Sequence, residues 1–465
     1  MAQGHLDRLS SIDAGFLHQE DGGAHMHIGG LGMFEGPPPT GEQFREHIAS
    51  RLSLVPRYRQ KLVEMPFGTG RPVWAEDRQF RIGYHVRHTA LPKPGSDAQL
   101  HTLTSRIFSQ RLDRTKPLWE MWLVEGLEDG RWALICKTHH AMIDGVGGVD
   151  LLTALLDFTP QTRPVDSQPW EPQPTPGTAD LLVRGAAGAL SSVLDRSVRG
   201  LALAVQPRRA LREVVSTAAS LATALAPLVS GAPATALNVP PGSYRRVELV
   251  RHELGDYKAV KDAFSATVND VVLAVVAGAL GRFLEGRGTD VSGLELRACI
   301  PVSIRTAERA SAAGNEIAII MAPLPVGVRQ PVERLSRVRR GMQELKTSRA
   351  AEGAQVISSF ENALPPALLA PLSRLGFSSR MYNLLVTNVP GPQVPLYLLG
   401  RQMTDLAPLA FLAPDHTLAI AIVSYHGSVT YGLLSDAEAV PDLPDLVGHL
   451  RDSLAELVQA AGEAS

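Results

Sequence analysis

The sequence predicts an α/β protein of two domains joined by a linker, and three observations carry that reading. Trp132-Ala133-Leu134-Ile135-Cys136 is short, apolar and partly alternating, so it reads as a buried strand, and Gly147-Gly148-Val149-Asp150-Leu151-Leu152 opens a helix with Val149, Leu152 and Leu156 on one face. Pro160, Pro164, Pro169, Pro172, Pro174 and Pro176 crowd residues 159–177, which marks an extended linker. A second α/β pattern begins after Leu237-Asn238. The 465 residues suit two or three domains, and these signals divide them at 1–158, 159–235 and 236–465.

In chain order, Met26-His27-Ile28-Gly29-Gly30-Leu31 looks like an early strand. Thr40 with Gln43 makes a capping box for a helix bearing Phe44, Ile48 and Leu52, which Pro56 ends. Ser96 with Gln99 starts another helix, with Leu100, Leu103 and Ile107 on one face. Pro117-Leu118-Trp119-Glu120-Met121-Trp122, a turn at Asp129-Gly130 and the strand into His139 together signal a hairpin. Residues 179–228 are rich in Ala, Leu and Val and broken by arginines, among them Arg184, Arg196, Arg199, Arg208, Arg209 and Arg212. They read as helices with basic faces, packed on the body of the protein or laid on an anionic lipid surface.

In the second half, Thr267-Val268-Asn269-Asp270 opens a helix that is apolar nearly all round through Leu280 and Phe283, so it is expected to be buried, with Asn269 and Asp270 at a capping position. Ile300-Pro301-Val302-Ser303-Ile304-Arg305 ends a strand, and Gly314-Asn315 starts the next one. Leu335, Val338, Met342 and Leu345 mark an amphipathic helix. Asn383 to Pro392 is a strand leading into Asn388-Val389-Pro390-Gly391-Pro392. Ser424-Tyr425-His426-Gly427 and Gly432-Leu433-Leu434-Ser435-Asp436 make a strand pair, and a last helix carries Leu446, Leu450, Leu454 and Leu457.

Several function classes are disfavoured. A net charge of −2 argues against nucleic acid as main partner. Cys136 and Cys299, isolated in apolar runs, suggest buried thiols in a reducing compartment, without a disulfide framework or a zinc site. The first residues lack an apolar signal core, and no stretch of about 20 apolar residues offers a transmembrane helix. There is no Gly-x-Ser-x-Gly elbow, Walker A or Gly-x-Gly-x-x-Gly run.

The chemistry concentrates in His139-His140-Ala141-Met142-Ile143-Asp144-Gly145. A histidine pair at a strand end either presents a ring to a cleft or caps a turn, with Asp144 bonding its own backbone. A metal reading would use His140 and Asp144, but no third strong ligand lies nearby at metal spacing. Gly145 permits a backbone conformation that a Cβ forbids.

The pattern HHxxxDG resembles the signature of the CoA-dependent acyltransferase superfamily, which includes peptide-synthetase condensation domains. Ile12-Asp13-Ala14, Tyr84-His85-Val86-Arg87, Pro117-Leu118-Trp119, Asn269-Asp270, Pro301-Val302-Ser303-Ile304-Arg305, Gly314-Asn315 and Asn388-Val389-Pro390-Gly391-Pro392 resemble blocks of one branch, the bacterial wax ester synthase/diacylglycerol acyltransferases. Those blocks span almost the whole chain; only residues 159–235 lack them.

The resemblance implies two chloramphenicol-acetyltransferase-like α/β sandwich domains with a helical linker and the site where they meet. It implies transfer of a fatty acyl group from acyl-CoA, a co-substrate with no resident cofactor, to diacylglycerol or a long-chain alcohol. His140 would be the general base: neutral imidazole, with an ordinary pKa of about 6.5, takes the alcohol proton as the oxygen attacks the thioester. The thiol, with a pKa of about 8.5, leaves readily as thiolate. His139 would orient the turn or line the acceptor channel. Asp144 would pair with an arginine, for which Arg305 is the candidate, tying the second domain to the turn. Pro117, Leu118, Trp119, Asn269, Asp270, Asn315 and Asn388 would shape the site or bind substrate. The basic residues of Arg57-Tyr58-Arg59-Gln60-Lys61 would meet CoA phosphates or sit in a solvated loop. Such substrates imply a cytoplasmic enzyme, peripheral on the inner membrane face or on lipid droplets. Two other readings share the fold: transfer to a polyketide-like alcohol, and a non-catalytic lipid-surface protein, against which the intact His140-Asp144-Gly145 set argues.

Overall fold

Two six-stranded mixed sheets organise the computed structural model, which describes residues 7–20, 22–66, 70–142, 154–165, 170–174, 177, 180, 231–303, 317–347 and 378–464. The first half contributes helices α1 (Ser11–Gln19), α2 (Gly41–Arg51), α3 (Ile82–His85) and α4 (Asp97–Ser109). Its strands are β1 (His27–Phe34), β2 (Gln60–Val63), β3 (Val73–Glu76), β4 (Val86–Ala90), β5 (Trp119–Glu125) and β6 (Trp132–His139). The second half contributes α5 (Leu254–Ala263), α6 (Val268–Gly286), α7 (Pro331–Thr347) and α8 (Leu443–Ala464). Its strands are β7 (Arg245–Glu253), β8 (Leu296–Ser303), β9 (Ile317–Leu324), β10 (Leu384–Pro390), β11 (Tyr397–Leu398), β12 (Arg401–Leu409), β13 (Leu418–Tyr425) and β14 (Ser428–Asp436).

Local sequence accounts for many of these boundaries. Both expected capping boxes form: the Gln43 N–H donates to Thr40 Oγ1 at 3.1 Å, and the Gln99 N–H to Ser96 Oγ at 3.4 Å. The β5–β6 hairpin turns through Asp129 and Gly130, at φ 60° and 67°, a conformation these two residue types adopt at little cost. Helix α6 is buried on all faces, and α8 buries Leu446, Leu450, Leu454 and Leu457 beside it. Cys136 and Cys299 are free thiols that burial pushes up to about 12. Among the described residues no single helix is long and apolar enough to cross a membrane.

Sheet membership does not follow the expected division at residue 236. The first sheet runs β11-β12-β1-β6-β5-β4, so two strands of the second half belong to it; the second runs β7-β14-β13-β10-β8-β9. Strand β1 pairs with β6 on one side and would otherwise leave its other edge open; β12 closes that edge, from Gly29↔Leu409 to Phe34↔Met403.

The two sheets also meet directly. A Cβ on Gly432 of β14 would lie 1.7 Å from the Pro408 carbonyl oxygen of β12, so only glycine permits this approach. Edge strand β7 is covered by α4. The Val247 and Arg245 N–H groups donate to Ser105 Oγ and Ser109 Oγ, each at 2.9 Å. The match is geometric: four helical residues rise about 6 Å and two strand residues about 6.6 Å.

The described part of the proline-rich stretch is tied to the first half. Arg51 bonds Asp157 (2.9 Å), Ala154 O (3.0 Å) and Arg163 O (3.1 Å). Trp170 lies under Arg59 and edge-on to Phe80. Apart from residue 180, the expected basic helices at 179–228, with Arg184 to Arg212, lie outside the described residues, as does the helix start at 147–152. The basic run is neither a solvated loop nor unpaired: Arg57 pairs with Asp7 and lies over Trp74, and Lys61 pairs with Asp77 at 3.1 Å.

Candidate active site

His139 closes β6 and His140 opens a 3-10 turn, His140–Met142. Two neighbouring segments hold the backbone. The His139 N–H donates to Leu118 O at 2.9 Å, and the His140 N–H to Met26 O at 2.8 Å. The turn is thus suspended between the segments leading into β5 and β1. Ala141 and Met142 sit in an apolar cluster with Leu396, Val423 and Tyr425, so second-half residues back the turn.

The His140 ring stacks on Phe16 of α1 (centroids 4.0 Å, 29°) and meets the edge of Phe411 (5.4 Å, 90°), which follows β12. It therefore sits where the two halves of the chain meet. Burial brings the imidazole from 6.5 down to about 4, so it is neutral at ordinary pH. Its Nδ1 is shut off from solvent and has no hydrogen-bond partner among the described residues, while the residue as a whole is half-buried. Nε2 is the nitrogen left for a substrate.

His139 is buried and points the other way. Its Nδ1 accepts the Ala141 N–H at 3.0 Å, which assigns the ring proton to Nε2. That Nε2 lies 3.4 Å from Glu20 Oε1, and His27 Nε2, opposite on β1, lies 3.6 Å from the same oxygen. Arg114 completes the group, with Nε and Nη2 at 2.9 and 2.6 Å from Glu20 Oε2. Burial alone would raise the Glu20 carboxyl, but His139 and Arg114 together hold it down to about 2. Burial lowers His25 to about 4 and His27 well below the usual imidazole range.

The other expected site residues divide into four groups. Pro117, Leu118 and Trp119 support the turn: Leu118 supplies the carbonyl that holds His139, and Trp119 is fully buried. Its Nε1 donates to Tyr58 O at 2.8 Å, and its ring stacks on His85, whose Nδ1 donates to Trp119 O at 2.8 Å. The Tyr84-His85-Val86-Arg87 and Pro117-Leu118-Trp119 blocks are therefore one packed unit. Asn269 and Asn388 come together across 119 positions, Asn388 Nδ2 donating to Asn269 Oδ1 at 3.1 Å. Asp270 caps α6, accepting the Thr267 N–H at 2.9 Å. Asp144, Gly145, Arg305 and Asn315 lie outside the described residues, and so does the Asp144–Arg305 pairing.

Glu20, His27, Arg114, Phe16 and Phe411 were not singled out as site residues from sequence. Phe16 and His27 lie in stretches whose pattern was visible, but nothing local distinguishes Glu20, Arg114 or Phe411 from ordinary surface or core residues. Among the described residues no group of three or more His, Cys, Asp or Glu could hold a metal.

Two family models match the chain: the wax ester synthase/diacylglycerol acyltransferase catalytic domain over residues 9–272, and the corresponding C-terminal domain over residues 313–458. A probable diacylglycerol O-acyltransferase of Mycobacterium tuberculosis strain H37Rv is 32% identical, covering 97% of this chain and 96% of its own. A putative diacylglycerol O-acyltransferase of the same strain is 35% identical, covering 98% and 100%. The solved wax ester synthase/diacylglycerol acyltransferase of Marinobacter aquaeolei VT8 superposes with a TM-score of 0.70 at 26% identity, covering 98% of this chain and 100% of that one. The starter condensation domain of rhizomide synthetase, at 15% identity and a TM-score of 0.58, shares the fold.

Proposed function

This chain belongs to the wax ester synthase/diacylglycerol acyltransferase family, and from that premise we propose that it transfers a fatty acyl group from acyl-CoA to the free hydroxyl of diacylglycerol, with His140 as general base. The observation that carries the assignment is the His140 ring, stacked on Phe16, met by the edge of Phe411 and placed where the two halves of the chain converge; burial there favours its neutral form.

The acceptor hydroxyl donates to His140 Nε2 while its oxygen attacks the thioester carbonyl. A base with a pKa of about 4 cannot form a free alkoxide, so proton transfer accompanies carbon–oxygen bond formation. Collapse of the tetrahedral intermediate breaks the carbon–sulfur bond, and the proton held on His140 passes to the departing CoA thiolate. No covalent acyl-enzyme is required. Asn269 and Asn388, bonded to each other, supply the polar groups we assign to site shaping. Asp144, Gly145, Arg305 and Asn315 take their assignments from the motif.

Insoluble acceptors call for a peripheral contact with a lipid surface, and residues 179–228, with Arg196, Arg199, Arg208, Arg209 and Arg212, are the stretch we assign to it. A release assay with palmitoyl-CoA, run side by side with diolein and hexadecanol, tests the function. Triacylglycerol is expected from diolein, and wax ester from hexadecanol would mark the second acceptor class. His140→Ala is expected to lose about 10²–10⁴-fold in rate. Near-wild-type turnover by a folded His140→Ala would refute the base assignment.

A further inference from the structure

We propose that Glu20 is a positioning residue for acyl transfer: its buried carboxylate holds the His139 ring, and through it the turn that aims His140. The inference rests on His140 being the base. Glu20 follows the last residue of α1, the helix whose Phe16 stacks on His140. One helix therefore supports both histidines, one by a ring face and the other by a charge.

The hydrogen-bond directions make the link specific. The Ala141 N–H occupies His139 Nδ1, so the ring proton is on Nε2, facing Glu20 Oε1 at 3.4 Å. The Leu112 N–H points at His27 Nε2 at 3.4 Å, which assigns the His27 proton to Nδ1. His139 is then the ring whose N–H faces the shared carboxylate oxygen, at an ion-pair distance. Arg114, on the other oxygen, balances the charge and keeps the carboxylate from turning away. A rotation of His139 would release the Ala141 N–H, the second backbone amide of the turn. Among the described residues no hydrogen-bond partner reaches His140 Nδ1. Its aim is set by the turn backbone and by Phe16 and Phe411.

Glu20→Gln fills the same space and removes the charge. Misplacing a reacting group by about 1 Å costs roughly 10²-fold in rate, so kcat with palmitoyl-CoA and diolein is expected to fall by about that factor with both KM values unchanged. His139→Asn supplies the comparison, because its side-chain oxygen still accepts the Ala141 N–H while nothing reaches Glu20. It is expected to lose kcat by a similar factor, and Glu20→Gln in that background is expected to add nothing. An unchanged kcat in folded Glu20→Gln, a change confined to KM, or losses that multiply in the double variant would overturn the proposal. If Glu20→Gln does not fold, Glu20→Asp keeps the charge and withdraws it by one methylene; wild-type kcat there would equally overturn it. His140→Ala runs in the same series. Its full turnover would remove the base assignment and this inference together, whereas a dead His140→Ala beside a fully active Glu20→Gln would remove the inference alone.

Discussion

Acidification separates a buried base from an ordinary histidine. At pH 5.5 an imidazole with a pKa of 6.5 is about nine-tenths protonated, so a reaction that needs its free base slows about tenfold relative to pH 7.5. His140, held at about 4 by burial beneath Phe16 and Phe411, stays about 97% neutral at that pH. Its kcat/KM is therefore expected to change by only a few per cent over the interval. The assay is the initial rate of labelled triacylglycerol formation from palmitoyl-CoA and diolein, with circular dichroism recorded at each pH. Phe16→Ala sharpens the test. Removing the stacked ring admits water beside the imidazole and weakens the desolvation that lowers it, so the acid limb is expected to move up towards 6.5. A wild-type limb centred near 6.5, with the fold intact, would refute the buried-base argument.

Stability is expected to fall on the same side of neutrality. His25, His140 and His252 are each held from 6.5 down to about 4, chiefly by burial, so between those values the unfolded chain binds more protons than the folded one, and stability declines as pH drops through that window. At pH 5 each group accounts for about 2 kcal/mol of loss, and a urea midpoint that stays flat from pH 7 to 5 would contradict it. Gly432→Ala would drive a Cβ against the Pro408 carbonyl, a backbone atom that cannot turn aside; a loss of about 1–3 kcal/mol is expected in thermal melts, and an unchanged Tm would count against the sheet contact. Asp157→Ala strips the partner from buried Arg51, whose cost is expected at about 3–5 kcal/mol, and a variant as stable as wild type would show the pair to be dispensable.

Local signals carried well into the structure. The Thr40 and Ser96 capping boxes and the Asp129-Gly130 turn are short-range hydrogen bonding and backbone preference, so a window of a few residues contains all the physics. The apolar faces of α2, α4, α7 and α8 were equally legible, because burying a stripe at helical spacing requires no knowledge of what covers it. Asp270 was legible as a cap for the same reason.

What the sequence by itself determined is the α/β class, the order of most elements, the family, and the turn to which we assign the chemistry. What only the tertiary structure decided is which distant groups meet there. Strand β12 closes the edge of β1 from the other half of the chain, because an open strand edge takes whichever partner the fold brings alongside. Asn388 finds Asn269 across 119 positions, and Arg57, which read as free to meet a phosphate, finds Asp7 and Trp74. Glu20 is the clearest instance. A glutamate after a short helix looks like any surface charge in sequence. Only three-dimensional packing makes it a buried carboxylate, shared by His139, His27 and Arg114, because burial and charge pairing are sums over neighbours that the chain does not place next to one another.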